Sequence, residues 1–196
     1  MKQNNSVPKI LEILLKDFTI KHTVTSLAKE LKITRVGIRK ILKKIEPQGL
    51  IILQPIGTGK TSTYIISLNW ENILTLKNLE ITLTEEAIKN KRWIDNFKEL
   101  ENKVEFLIIF GSILYSPKEA NDIDILTISK KNNLTEINNI ISKLQKTQIK
   151  KIHALNFTEE EFKKELSNEA IIDAIKKGSI LFGQEKFIKF IRGIKS

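Results

Sequence analysis

The segment FGSILYSPKEANDIDILTIS constrains this chain more than any other stretch of it. An apolar, strand-like run from Val104 to Phe110 ends on Gly111-Ser112, and after nine intervening residues a second such run opens with Asp122-Ile123-Asp124. Side chains alternate along a strand, so Asp122 and Asp124 share one face while Ile123 and Ile125 turn toward a core. Two carboxylates therefore converge on one side of a sheet. Like charges set so close call for a compensating cation, and hard oxygen ligands favour Mg²⁺ or Mn²⁺. Gly111 allows a phosphate to approach the backbone, while the Ser112 hydroxyl and the N–H groups that begin the next turn can donate to it. These are the parts of a phosphoryl-transfer site, in which positioning and electrostatics supply most of the catalysis.

The surrounding pattern is α/β: strand Val104 to Phe110, strand Ile123 to Ser129, helix Leu134 to Lys146, strand Ile149 to Phe157, then helices from Thr158 onward. Upstream, Thr82 with Glu85 reads as a capping box, and a helical stripe through Ala87, Ile88, Trp93 or Ile94, Phe97 and Leu100 predicts a long helix to about Asn102. The segment from Asn69 to Ile81 selects no single conformation. On the strand KKIHALNF no carboxylate joins the Asp pair, which leaves His153 or Asn156 for that neighbourhood, with His153 a candidate proton acceptor. The acidic triplet Glu159 to Glu161 reads instead as the first turn of a helix capped by Thr158, with Glu161 completing a capping box.

The first third of the chain has a different character. Residues 1 to 70 carry 12 Lys or Arg against 4 acids, a net of +8, so that region holds most of the formal +10 of the whole chain. Such a module has the electrostatic footprint of a phosphate-backbone binder. Its pattern predicts a helix over Val7 to Lys16, a short helix in TSLAKEL capped by Thr25 or Ser26, a turn at Lys32 to Thr34, and a third helix in RVGIRKILKKI. In that third helix Ile38, Leu42 and Ile45 form a core stripe, and Arg35, Arg39 and Lys43 form a cationic one at i, i+4, i+8. Two β-rich runs, LIILQPI and TSTYIISL, then flank GTGK as a hairpin. Gly59-Lys60-Thr61 ends like a phosphate-binding Walker A loop, but that motif needs glycine where this chain has Gln54, and it leads from strand to helix.

Composition removes several function classes. With no cysteine, disulfides, thiol catalysis and Cys-based zinc sites are excluded, and with two histidines a His-rich metal cage is too. The apolar runs are a few residues long, far from the roughly 20 that span a bilayer, and MKQNNSVPK has no signal-peptide core, so a cytoplasmic protein without a membrane partner is expected.

Ser26 to Ile51 resembles the winged helix-turn-helix domain of bacterial and archaeal regulators. The resemblance implies double-stranded DNA as a partner, with Thr34, Arg35, Gly37, Arg39 and Lys40 near the major groove, Lys43 among the DNA-binding residues and Lys60 at the wing tip meeting phosphate. The G-S motif, its spacer and the D-x-D strand resemble the minimal nucleotidyltransferases of the DNA polymerase β superfamily, over about Glu99 to Gly193. That likeness implies Gly111 and Ser112 as triphosphate contacts and Asp122 and Asp124 as Mg²⁺ or Mn²⁺ ligands. Active members carry a third carboxylate, missing here, and often Arg and Gly where this chain has Tyr115 and Ser116.

The expected organisation is two domains of α+β and α/β type. A winged helix at 1–68 and a connector at 69–83 precede a nucleotidyltransferase-like fold at 84–196, a mixed sheet with flanking helices. Its expected function is nucleotidyl transfer from a nucleoside triphosphate. The alternative is a transcriptional regulator whose second domain senses nucleotide or dimerises without turnover. A second copy of the chain is counted among the candidate partners.

Overall fold

A computed structural model describes residues 6–57 and 63–195. It is a mixed α+β structure, with nine α-helices, a four-stranded mixed sheet and a two-stranded antiparallel sheet among the described residues. The chain divides into two compact units, the first comprising residues up to Thr82 with the segment from Ile191 onward, the second Leu83–Phe190.

The first unit begins with α1 (Ser6–Lys16), α2 (Val24–Leu31) and α3 (Arg35–Ile45), followed by β1 (Ile51–Ile56) and β2 (Thr63–Leu68), which pair antiparallel with Ile51 opposite Leu68. Each helix contributes one apolar stripe to a common core, so that Ile10, Leu11, Leu15, Leu27, Ile38 and Ile45 are fully buried. The turn between α2 and α3 is made by Lys32 in the left-handed region (φ 54°) and by Thr34, whose hydroxyl accepts from Gly37 N at 3.0 Å. The cap of α2 is Thr23, not Thr25 or Ser26: its side chain accepts from Ser26 N while the Ser26 hydroxyl accepts from Thr23 N. Ser26 is thus the third helical residue of a capping box whose first member lies two residues ahead of the predicted start.

Helix α4 (Ile73–Lys89) corrects a second expectation. It starts nine residues before Thr82, where the Asn72 side chain accepts from Leu74 N at 2.9 Å, and Thr82 lies mid-helix with its hydroxyl donating back to Asn78 O at 2.7 Å. Thr82 and Glu85 therefore form no capping box. Nor does one helix run to Asn102. It breaks at Asn90 (φ −101°, ψ 29°), whose side chain donates to Ser179 Oγ at 3.1 Å, and α5 (Lys91–Phe97) follows.

In the second unit β3 (Phe106–Phe110), β4 (Asp122–Ile128), β5 (Lys151–Phe157) and β6 (Ser179–Phe182) form one sheet in the order β5-β4-β3-β6. Helix α6 (Leu134–Gln145) carries the chain from β4 to β5, which pair parallel, whereas β3 is antiparallel to both its neighbours. Because β3 is covered on both faces, FLIIF is apolar throughout. Leu107 and Ile109 join Trp93, Phe97, Ile123, Ile125 and Ile137 in one core, and Phe106 meets Phe162, Phe187 and Phe190 on the other face at centroid distances of 5.4 to 6.1 Å.

The stretch after Thr158 is not helical throughout. Between α7 (Glu159–Glu165), α8 (Glu169–Lys177) and α9 (Gln184–Lys195) lies β6, a fourth strand absent from the sequence-based layout. Its residues Ser-Ile-Leu-Phe are all buried, so no alternation marks them as a strand. Gly183 (φ 75°) ends it where an added Cβ would overlap the Glu105 carbonyl. Among the described residues no helix is long and apolar enough to cross a membrane.

Candidate functional site

The antiparallel register places Phe110, the last residue of β3, opposite Asp124. Beyond it Gly111 takes φ 80° and ψ −166°, a conformation open essentially to glycine alone, and a Cβ there would stand 2.5 Å from Asp124 Oδ2. The chain then makes a 3₁₀ turn, Ser112–Leu114, with Leu114 N donating to Gly111 O and Tyr115 N to Ser112 O. Ser112 N and Ile113 N precede the first internal bond of that turn. Buried Ile113 and Ala120 pin the loop from beneath, and the Lys150 ammonium donates to the Ala120 carbonyl.

On β4 the expected alternation is present: Ile123 and Ile125 are buried at 1% and 0% exposure, and Asp122 and Asp124 are partly exposed. The parallel pairing of β4 with β5 sets His153 opposite Asp124. Its Nδ1 lies 3.3 Å from Asp122 Oδ2 and 3.5 Å from Asp124 Oδ1. One donor atom from each of Asp122, Asp124 and His153 falls within 4.8 Å of the others, close enough to serve a single cation. The pair is electrostatically loaded. Partial burial, with the neighbouring Asp122 charge, raises the Asp124 carboxyl above its ordinary value, and His153 opposes that shift.

Asn156, the other residue considered for this neighbourhood, is engaged elsewhere: its Oδ1 accepts from Thr127 at 2.7 Å and its Nδ2 donates to Asn138 at 2.8 Å. Glu161 is held in the α7 capping box, accepting from Thr158 N at 2.8 Å, and those hydrogen bonds keep its carboxyl below the usual value. Tyr115 donates its hydroxyl to the Lys177 carbonyl at 2.9 Å, a contact that nothing in the local sequence signals.

In the first unit, Arg35, Arg39 and Lys43 all line a groove of about 600 Å³ between the helices and the hairpin, closed on the strand side by Leu53, Thr63 and Tyr64. Lys40 is exposed outside that lining, and the Thr34 hydroxyl is committed to its cap. Gly37 follows at the third helical position. Tyr64 on the groove wall and Val36, which is 61% exposed on α3, carry no chemical signal in the local sequence. Lys60 lies outside the described residues. No protein-family model, curated protein or solved structure matches this chain.

Proposed function

We propose that the protein couples a DNA-binding winged helix to a polymerase β-like nucleotidyltransferase domain that binds a nucleoside triphosphate with Mg²⁺ or Mn²⁺. The observation that carries the second half is the convergence of Gly111, Asp122 and Asp124 at one end of the sheet, with Gly111 seated against Asp124. The donor set suits a divalent cation: partial burial, with the neighbouring Asp122 carboxylate, raises Asp124, and a positive charge between the two carboxylates offsets their mutual repulsion. Such an ion would supply positive charge to offset that of the phosphate groups.

Asp122 and Asp124 would hold that ion, and bare Gly111 leaves room for phosphate beside Asp124. The Ser112 hydroxyl, with Ser112 N and Ile113 N, donates to phosphate oxygens and fixes the triphosphate in line for attack. In transfer, an acceptor hydroxyl oxygen bonds to the α-phosphorus, the bond to the β-phosphate breaks, pyrophosphate leaves, and the hydroxyl proton passes to a base. A second reading is favoured by one observation: His153, not a carboxylate, stands beside the Asp pair. In it the domain binds nucleotide without turnover and the protein acts as a nucleotide-responsive regulator.

For the first unit, the order of three helices and hairpin and the Arg35, Arg39, Lys43 groove support a duplex-DNA interface, where exposed Val36 suits a thymine methyl. Two measurements test the proposal. Calorimetry with each nucleoside triphosphate and Mg²⁺ or Mn²⁺, paired with pyrophosphate release across an acceptor panel, should show binding; release identifies the enzyme, and binding without release identifies the sensor. In a mobility-shift assay, duplex DNA should bind with affinity that falls steeply with salt, and Arg39→Ala should weaken it and lower the salt slope by about one. Failure to bind any nucleotide, or any duplex DNA at low salt, refutes the corresponding half.

A further inference from the structure

We infer that His153 is the third ligand of the ion rather than a base, and that the site selects a divalent cation that favours imidazole and tetrahedral geometry, Zn²⁺, over Mg²⁺. The inference rests on the metal-binding part of the proposed function and deepens it. Parallel pairing brings His153 level with Asp124, and its Nδ1 faces both carboxylates, at 3.3 Å from Asp122 Oδ2 and 3.5 Å from Asp124 Oδ1. These separations exceed the 2.7–3.2 Å of a well-formed N–H···O bond. They match the spacing of about 3.4 Å between two donors that each stand 2.0–2.2 Å from one tetrahedral ion. Six-coordinate Mg²⁺, with ligands at 2.0–2.1 Å, brings neighbouring donors to about 3.0 Å.

Asp124 is oriented for this role. Its Oδ2 is backed by Gly111, so Oδ1 is the oxygen turned toward His153. Donor chemistry points the same way, since Mg²⁺ keeps oxygen ligands and water, whereas Zn²⁺ and its neighbours in the first row bind imidazole readily. The assignment has a mechanistic consequence. An Nδ1 lone pair directed at a cation cannot accept the acceptor's proton, so His153 as ligand is withdrawn as a base, which favours nucleotide binding without fast turnover.

The test uses the full chain stripped of metal with a chelator, titrated calorimetrically with ZnCl₂, MnCl₂ and MgCl₂, and examined with Mn²⁺ by pulsed electron paramagnetic resonance for coupling to ligand nitrogen. Wild type should bind Zn²⁺ at least about tenfold tighter than Mg²⁺ and show nitrogen coupling to the Mn²⁺ probe. His153→Ala should lose the coupling and the ranking, and His153→Asp should lose the coupling while gaining Mg²⁺ affinity. His153 is 45% exposed on an edge strand, so both variants should fold, which circular dichroism checks. Absence of nitrogen coupling in wild type, an unchanged metal ranking in His153→Ala, or no binding of any of the three ions overturns the inference. Nitrogen coupling without nucleotide binding overturns only the proposed nucleotide function, whereas Mg²⁺-preferring nucleotide binding without coupling overturns only the His153 assignment.

Discussion

Replacing Gly111 with alanine tests the geometry on which the site depends. At φ 80° and ψ −166° the backbone lies where residues with a Cβ are strained by about 1–3 kcal/mol. The new Cβ would also stand 2.5 Å from Asp124 Oδ2, 3.4 Å from Cγ and 3.6 Å from Cβ, so only the carboxylate oxygen collides. Asp124, with 24% of its side chain exposed, can swing outward to relieve the overlap, but in doing so it leaves His153 and the position proposed for the cation. Gly111→Ala should therefore cost about 2–3 kcal/mol and abolish metal-dependent nucleotide affinity. In an Asp124→Ala background the nearest atom of residue 124 is the Cβ at 3.6 Å, an ordinary contact, and the same change should cost only its backbone share, about 1–2 kcal/mol. Urea unfolding of the four proteins, followed by circular dichroism, gives a double-mutant cycle with an expected coupling of about 1 kcal/mol. A loss under about 0.5 kcal/mol from Gly111→Ala in the wild-type background, or an equal loss in both backgrounds, would refute the reasoning.

Two further outcomes follow from the charges. Asp124 has a raised folded-state pKa, so its protonation contributes stability below the ordinary value of 3.8 that is lost as pH rises through the folded pKa. The double change Asp122→Asn and Asp124→Asn should consequently leave metal-free thermal stability at neutral pH level or higher, while the metal-dependent part of nucleotide affinity vanishes in calorimetry; a clear drop in melting temperature would contradict the repulsion. Glu161 has the opposite sign. Its lowered pKa contributes stability above 4.5 that disappears as pH falls through the folded value, so Glu161→Ala should shrink the acid-side loss of the urea midpoint, and identical pH profiles would count against the capping-box contribution.

Much of the candidate site was legible because its information is local. A strand's two-residue period alone put Asp122 and Asp124 on one face and Ile123 and Ile125 in the core, and the glycine after FLIIF marked where backbone must turn. Caps were legible only where the helix start was: Thr158 with Glu161 was read correctly, whereas Thr82 with Glu85 met the same template in the middle of α4. A capping template says that a residue can cap, and whether it does depends on where the chain first becomes helical. Here that is decided by Asn72, whose side chain also holds the Gln48 and Gly49 carbonyls at 3.0 and 2.9 Å.

Sequence by itself determined the alternation of elements, the basic face of α3 and the pairing of carboxylates with a glycine turn, since each is written within a window of a few to a dozen residues. Tertiary structure alone decided three things. It chose His153 over Asn156 as the companion of the Asp pair, because the register between β4 and β5 is set across the whole α6 crossover. It made Ser-Ile-Leu-Phe a strand, because four fully buried residues carry no period, and only the open edge of β3 supplies the partner that makes them one. It ended the helix at Asn90, because the side chain that stops it is hydrogen-bonded to Ser179, far along the chain. In each case the deciding free energy comes from a pairing between residues distant in sequence, which no local pattern contains.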